Sequence, residues 1–332
     1  MVSLIMVSFN GAELLVNCLH ALKNQTFKDF EIIVIDNGSS DNTHAKIDKF
    51  LEEYVVKLPT QFIKLGENLG FSGGNVTGLQ HAAGDYVALL NSDTEPTTVW
   101  LENLVKSMKN HSEVGICASK LVVHSTTSID SAGDSFTTLL KGDKRGEGRD
   151  TAEFDQEEYV FGACAGAALF RREMLDQIGF FDEDFFLIHE DTDLNFRAQL
   201  AGWKVLYVPT AVVHHKVRSS IGVMSDTAIY YSLRNSELVR IKNVPFGVFL
   251  RCFLEFILGV IAEFLYFVIK HKRFRLYLKA KGDVLKMFPC MWHKRKMIMK
   301  TRKVSNSYLL SLMTPIWRRN FIKTKFDKFL HG

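Results

Sequence analysis

Three acids stand within four positions of the stretch HEDTDLNFRAQLAGWKV, at Glu190, Asp191 and Asp193, and an arginine follows at Arg197. Carboxylates set this close together serve proton transfer or cation binding if something other than solvent surrounds them. The run before them, IGFFDEDFFLI, is strongly apolar and is expected to be buried. A carboxylate emerging from it would be partly desolvated, with the raised pKa that a general base needs. If the stretch is helical, Glu190, Asp193, Leu194 and Arg197 share one face, and Asp191 points roughly 100° away from Glu190. A purely structural role fits the same residues, because acids in a first turn favour the helix dipole and Arg197 can pair with them.

Four other segments carry candidate chemistry. Asp36 closes the apolar run IIVID, where it can accept hydrogen bonds from a nucleobase or ribose, or cap the NGSSDN turn that follows. In ENLGFSGGNVTG, the glycines let backbone approach a ligand, and a helix starting there can turn N–H groups toward a phosphate. An ordinary tight turn explains the same glycines, and their spacing is neither a P-loop nor GxGxxG. In ALLNSDTEP, Asn91 and Asp93 are two apart and would point the same way in a strand. That pair suits a hard divalent cation, Mg²⁺ or Mn²⁺, that also binds a diphosphate; capping of the helix near Pro96 is the alternative. In VVHHKVRSS, His214 can complete a metal site, and Arg218, with Arg234 further on, can hold phosphate or acceptor charge.

These residues need a scaffold to bring them together. Short β-rich runs (VSLIMVSF, FEIIVID, QFIKLGEN, DYVALL) alternate with helical ones (ELLVNCLHALKNQ, AKIDKFLEEY, NVTGLQHAAG, TTVWLENLVKSMKNH). This alternation predicts an α/β fold with a mostly parallel sheet flanked by helices. Ligands in such sheets sit beyond the carboxyl ends of the strands. Those ends read Asn10-Gly11, Asp36-Asn37-Gly38 and Asn91-Ser92-Asp93, so Ser8, Asn10 and Ser92 join the binding candidates. Residues Lys141 to Asp155 are charged, glycine-rich and poor in apolar residues, and are expected to form a mobile loop. The pattern changes to long helices after Val223, predicting a body over 1–225 and a helical basic region over 226–332.

The chain has 332 residues, 47% of them apolar, which supports a substantial core and excludes global disorder. The net charge of +4 hides an asymmetry: residues 270–332 carry +16 and the rest of the chain −12. The five cysteines are scattered and contain no CxxC pair, which argues against a disulfide framework or structural zinc and for a reducing compartment. The beginning, MVSLIMVSFNG, lacks the basic start of a signal peptide, so the body is expected in the cytosol.

Taken together, VSFNG, VIDNGSSD, NLGFSGGNVTG, LLNSDTE, GACAGAALFRREMLDQIGFFDEDFF, HEDTDLNFR and VVHHKVRSS occur in an order that resembles family 2 glycosyltransferases of the GT-A fold, rhamnosyltransferase-like branch, over about residues 1–240. The resemblance implies an inverting, metal-dependent transfer of sugar from a nucleotide-sugar donor to a hydroxyl. Asp36 would bind the nucleoside, and Asn68, Gly73, Gly74 and Asn75 would line the donor pocket. Asp93 and His214 would hold Mg²⁺ or Mn²⁺, with Asn91 standing where the strict DXD motif has its first Asp. Asp191 would be the base, with Glu190 positioning it, while Asp193 and Arg197 would be scaffold. The GACAG segment would lie near sugar and acceptor. The branch suggests dTDP-rhamnose; UDP-hexoses and UDP-N-acetylhexosamines would use the same motifs. A nucleotidyltransferase would carry a glycine-rich phosphate loop after the first strand, and SFNGAELL is not one. A non-catalytic sugar-nucleotide-binding protein is the reading from another class.

The segment VPFGVFLRCFLEFILGVIAEFLYFVIKHKR is apolar, but Arg251, Glu255 and Glu263 interrupt it on one side of a helical wheel, with Gly259, Ala262 and Tyr266. Each charge would cost about 2.5–3.5 kcal/mol at a bilayer centre, so the reading is an in-plane amphipathic helix or a buried helix of a homo-oligomer. The cations and aromatics that follow suit an anionic membrane surface, and no motif for nucleic acid accompanies them. A peripheral position on the inner face of the cell membrane, with a glycan or lipid-linked acceptor, is therefore expected.

Overall fold

The computed structural model describes residues 1–41, 43–54, 59–216 and 225–317. The first half alternates strand and helix: β1 (Val2–Ser8), α1 (Ala12–Lys23), β2 (Phe30–Asp36), α2 (Thr43–Tyr54), β3 (Thr60–Lys64), α3 (Gly70–His81), β4 (Tyr86–Leu90), β5 (Thr94–Pro96), α4 (Trp100–Asn110) and β6 (Val114–Val123). Then come β7 (Ile129–Ser131), β8 (Asp134–Phe136), β9 (Gly142–Lys144), β10 (Glu158–Val160), β11 (Ala167–Arg171), α5 (Arg172–Ile178), α6 (Glu190–Leu200) and β12 (Lys204–His215). Five helices follow: α7 (Asp226–Asn243), α8 (Phe246–Arg251), α9 (Phe253–Phe264), α10 (Phe274–Lys300) and α11 (Asn306–Leu312).

The main sheet runs β10-β12-β6-β11-β4-β1-β2-β3, with β5 on β12 and β7 on β6. The expected parallel order holds for β3, β2, β1 and β4. Beyond β4 the sheet is mixed, because β11 inserts antiparallel between β4 and β6. Period-2 alternation assigns the two faces. Leu4 and Met6 of β1 pack with Leu15, Leu19, Trp100 and Leu104 of α1 and α4. Ile5, with Ile33 and Ile35, faces Leu79, Met174 and Leu194 of α3, α5 and α6.

Residues 141–155 are not a bare loop. β9 pairs with β8, Arg145 donates to the Ala132 carbonyl at 2.7 Å, and its guanidinium lies 4.9 Å from the Phe154 ring centre. Ion pairs Arg145–Glu158 and Arg149–Glu153 consume the charges that made the segment look solvated. Helix α3 also starts five residues before the Asn75 suggested by pattern, at Gly70.

The C-terminal helices share a third core with the body, where Phe136, Phe185 and Phe196 meet Leu238, Val248, Val284 and Leu309. A buried polar seam joins the same parts. Lys242 of α7 lies 2.6 Å from Asp182 and 2.9 Å from Asp193, and Asn243 donates to Asp193 at 2.7 Å. Burial pushes the Asp182 and Glu237 carboxyls up, but the lysines beside Asp182 and the Arg240 and Lys281 beside Glu237 outweigh it and bring both to about 2. Folded values below the unfolded ones stabilise the protein above the unfolded pKa, and that contribution is lost as pH falls from about 4.5 toward 2. The thermal midpoint should fall across this window in a melting series. Lys242→Met should lose about 3–5 kcal/mol at neutral pH, since it leaves two buried carboxylates short of a partner.

Candidate active site

Asp93 and His215 meet where β4 ends and β12 returns. β4 stops at Leu90, and residues 91–93 form a turn, so the alternation expected for Asn91 and Asp93 does not apply. The Asn91 N–H donates to the Gly166 carbonyl at 2.9 Å, and its own carbonyl accepts from Thr94 Oγ1 at 2.6 Å. Neither Asp93 nor Thr94 caps α4, whose N-cap is Val99. The Asp93 carboxyl is buried, with His215 Nε2 at 3.4 Å. His215 Nδ1 lies 2.8 Å from buried Asp130, which Lys144 Nζ holds at 2.6 Å. The result is a chain Lys144–Asp130–His215–Asp93.

Of the adjacent His214 and His215, either of which could face a metal by sequence, His215 meets Asp93 and His214 is turned away. Its ring lies edge-on to His124 at 6.4 Å, and in the ladder it stands opposite Glu95. A register shift between Val208 and Val212 explains this. Before it, Leu206 and Val208 face the α1–α4 side; after it, Ala211 and Val213 do. The irregularity exchanges odd and even positions, so His215 takes the side that His214 would have held.

Burial pushes the His215 imidazole down, but hydrogen bonds to Asp130 and Asp93 outweigh it and raise it to about 9. Among the described residues no group of three or more His, Cys, Asp or Glu side chains has a metal-binding arrangement. A carboxylate and an imidazole leave the rest of a coordination shell to phosphate and water, which is how Mg²⁺ and Mn²⁺ are commonly held. The nitrogen donor favours Mn²⁺ of the two.

The acidic stretch begins α6, as expected. Its approach is strained: Phe186, Ile188 and His189 have φ of 62°, 65° and 70°. Asn235 of α7 holds this turn, with Nδ2 within 2.8 Å of the carbonyls of Phe185, Leu187 and Ile188. Arg234, expected to bind phosphate, instead donates to the Asp184 and Phe185 carbonyls at 2.6 and 3.1 Å. From the other side, Ser72 N–H donates to the Phe186 carbonyl at 3.0 Å.

Asp191 Oδ1 accepts from Thr192 N–H at 2.6 Å and Oδ2 from Ala165 N–H at 3.4 Å. Burial raises its pKa against the pull of these N–H groups. Glu190 is raised by burial and then by the Asp191 charge, and its Oε2 is buried with no hydrogen-bond partner. Asp134 of β8 is raised by the same two causes. Asp193 behaves oppositely: burial is outweighed by Arg197, 2.9 Å away, and by Lys242, and its pKa is lowered. Asp193 and Arg197 are scaffold.

At the end of β2, Asp36 is fully buried and Oδ1 accepts from Ser39 N–H at 3.1 Å. Ser8 Oγ is buried without a hydrogen-bond partner, and Asn10 ties to Ser40 N–H at 2.8 Å. Ser92 is half-buried in the turn. Asn68 Oδ1 accepts from Asn37 Nδ2 at 3.0 Å and Gly70 N–H at 2.8 Å. With Asn37 Oδ1 on Leu69 N–H and Phe186 on Ser72 N–H, protein groups take three N–H groups where α3 begins. These three N–H groups are therefore not open to a phosphate. Gly73, Gly74 and Asn75 are buried inside α3. Gly74 and Gly78, where a Cβ would lie 2.8 Å from Val7 and 2.4 Å from Ile5, let the helix lie against β1. Only Gly70, at φ +73° beneath the Phe186 carbonyl, needs glycine for its backbone. Arg218 lies outside the described residues.

Asp130, Asp134, Lys144, Asn37 and Asn235 were not singled out by sequence. Asp130 and His215 are 85 residues apart, so no local spacing signals their contact.

The mixed sheet thus carries Asp93 and His215 beyond its strand ends and Asp191 at the start of α6. The family model Glycosyl transferase family 2 matches residues 3–179, and the chain belongs to that family. An N-acetylglucosaminyl-diphospho-decaprenol L-rhamnosyltransferase of Mycobacterium tuberculosis is 27% identical over 240 residues, 64% of this chain and 76% of the relative. Among solved structures, Staphylococcus aureus TarS 1-349 in complex with UDP-GlcNAc superposes with TM-score 0.60 at 18% identity, covering 90% of this chain and 88% of that one. A mannosyltransferase of Pyrobaculum calidifontis in complex with GDP-Man and Mn²⁺ does so with TM-score 0.55 at 16% identity, over 99% and 84%. The chain is a glycosyltransferase.

His215→Ala should weaken Mn²⁺-dependent nucleotide binding about 10–100-fold, and His214→Ala should leave it near wild type, both read by calorimetry. Asn235→Leu, which strips donors from three carbonyls, should lower turnover and cost about 1–3 kcal/mol of stability, read by kinetics and melting side by side.

Proposed function

We propose that this protein transfers rhamnose, from dTDP-rhamnose, with inversion to a hydroxyl of a glycan or lipid-linked acceptor at the inner face of the cell membrane, in cell-surface polysaccharide assembly. The observation that carries the reading is a shared segment. Ala165 N–H contacts Asp191, and the neighbouring Gly166 carbonyl accepts from Asn91 at the acidic turn. Residues 162–166 thus tie the base to the Asp93–His215 pair. The relative named as an L-rhamnosyltransferase supports the sugar.

Asp93 and His215 would hold Mg²⁺ or Mn²⁺ against the donor diphosphate, where the ion supplies neutralisation of the leaving nucleotide's charge. The chain's residues do the rest. The Asp191 carboxylate takes the acceptor's hydroxyl proton, the oxygen bonds to the anomeric carbon, and the bond to the diphosphate oxygen breaks with its electron pair on the nucleotide. Burial and the Asp191 charge raise Glu190 well above the ordinary carboxylate range, so of the two it holds a proton the more readily. Asp36, Ser8 and Asn10 lie where the nucleoside would approach the strand ends.

Nucleotide release with Mn²⁺ or Mg²⁺ across dTDP-rhamnose, UDP-galactose, UDP-glucose and UDP-N-acetylglucosamine, with a lipid-linked acceptor, tests this. dTDP-rhamnose should be turned over, and Asp191→Asn should lower the rate about 10²–10⁴-fold. Because Asp191 is raised, the rate should climb with pH over a limb above the ordinary carboxylate range. Equal turnover by Asp191→Asn would remove that residue as the base; preference for a UDP-sugar would replace the donor.

A further inference from the structure

Helix α9 is amphipathic the wrong way round for a soluble protein. Its one buried residue is a charged one, Glu263, 2.8 Å from Lys281 and 3.5 Å from Lys141. Gly259 rests against Leu139 on the same inward side. The outward side is apolar: Leu254 is 75% exposed, Leu258 48% and Ile261 50%. The long apolar segment is not one helix, since it breaks at Cys252 and ends in a π-helical turn over Leu265–Lys270. No helix among the described residues is long and apolar enough to cross a membrane.

Helix α10 continues the pattern. Phe274, Leu278, Leu285, Phe288 and Trp292 are exposed at i, i+4, i+11, i+14 and i+18, which is one face of a helix. Exposed cations directly follow three of them: Arg275, Lys279 and Lys286. Long cationic side chains beside apolar ones keep their heads at the polar boundary while their stems lie along the apolar layer. Other cations of the basic tail are turned inward, with Lys294 on Asp182 and Arg295 on the Ile241 and Val244 carbonyls.

We infer that the outward faces of α8, α9 and α10 form a surface that lies in the interface of an anionic bilayer, Leu254, Leu258 and Ile261 entering the acyl boundary and Arg275, Lys279 and Lys286 meeting lipid phosphates. Charge decides the occupant. A second copy on the same face would set these cations against their own equivalents, whereas anionic headgroups complement them. The inference rests on the proposed transfer to a membrane-linked acceptor for its purpose, and on the exposed faces for its chemistry. The surface also reaches the site. The turn between β8 and β9 sits beneath α9 through Leu139 and Lys141, and Arg240 of α7 holds the Leu140 carbonyl at 2.8 Å. β9 carries Lys144, which fixes Asp130 behind His215.

Flotation of the full chain with vesicles of phosphatidylcholine plus phosphatidylglycerol, and of phosphatidylcholine alone, tests the inference. Wild type should float with the anionic vesicles and lose most of that binding in high salt. The double variant Leu254→Glu/Leu258→Glu should bind them at least about tenfold more weakly, with an unchanged melting midpoint. Arg275→Glu/Lys279→Glu should lose the preference for anionic lipid. Wild type that stays off the anionic vesicles, or a double variant that floats as well as wild type, would overturn it. So would light scattering that shows a wild-type dimer split by Leu254→Glu/Leu258→Glu with no vesicle binding, because a second copy would then cover the face. Calorimetric binding of dTDP with Mn²⁺ keeps the two proposals apart. Vesicle binding without nucleotide binding fails the transferase reading, and nucleotide binding without vesicle binding fails this one.

Discussion

The site depends on one carboxamide. Asn235, fully buried, offers a single NH₂ group to three carbonyls of the turn that precedes α6. That turn holds three non-glycine residues in the left-handed region, each costing on the order of 1–3 kcal/mol. Such a turn persists only where its surroundings over-determine it, and here α3 supplies Ser72 N–H on one side while α7 supplies Asn235 and Arg234 on the other. The turn decides where α6 begins, and α6 begins with the acids. A helix that sequence assigns to the appendage is therefore part of what aims Asp191.

Neighbouring acids on one helix then acquire opposite characters from their surroundings. Asp193 lies between Arg197, Lys242 and Asn243 and is held as a carboxylate. Burial raises Glu190 and Asp191 alike, the Asp191 charge raises Glu190 and Asp134 further, and Lys144 pulls Asp191 only part of the way back. Proton affinity is thus placed at one end of the first turn and removed from the other within four residues. The charges around Asp93 are ordered by contacts instead: Lys144 fixes Asp130, Asp130 fixes the His215 ring, and His215 meets Asp93.

What sequence revealed was local. Strand ends finishing in acids, a helix opening on acids and an apolar run before it are patterns within about ten residues, and they placed Asp36, Asp93 and Asp191 at the ends of the elements that carry them. What it did not reveal was set by distant contacts or by a single irregularity. The shift between Val208 and Val212 exchanged His214 for His215, and nothing in VVHH distinguishes them. Glycines that suggested a phosphate cradle turned out to allow α3 close to β1, because close helix packing and ligand approach demand the same missing Cβ. The charged stretch 141–155 looked solvated, yet Arg149 pairs with Glu153, Arg145 reaches Glu158 beyond the stretch, and both arginines lie over Phe154.

The −12 and +16 halves of the chain gain meaning from where the opposite charges meet. Part of the basic tail is spent inside the protein, where Lys281 joins Glu237 to Glu263 and Lys294 joins Asp182 to Asp184. Lys281 binds α10 to α7 and α9, and Lys294 attaches α10 to the body at Asp182 and Asp184, which shortly precede the turn before α6. Burying such pairs is costly unless each is hydrogen-bonded, and each here is. The inward use of charge also explains why α9 turns its apolar side out: with Glu263 committed to Lys281 and Lys141, no other face of that helix is left for solvent. The Glu263–Lys141 pair that ties α9 to the body and the apolar surface that α9 presents are thus two consequences of a single helix rotation.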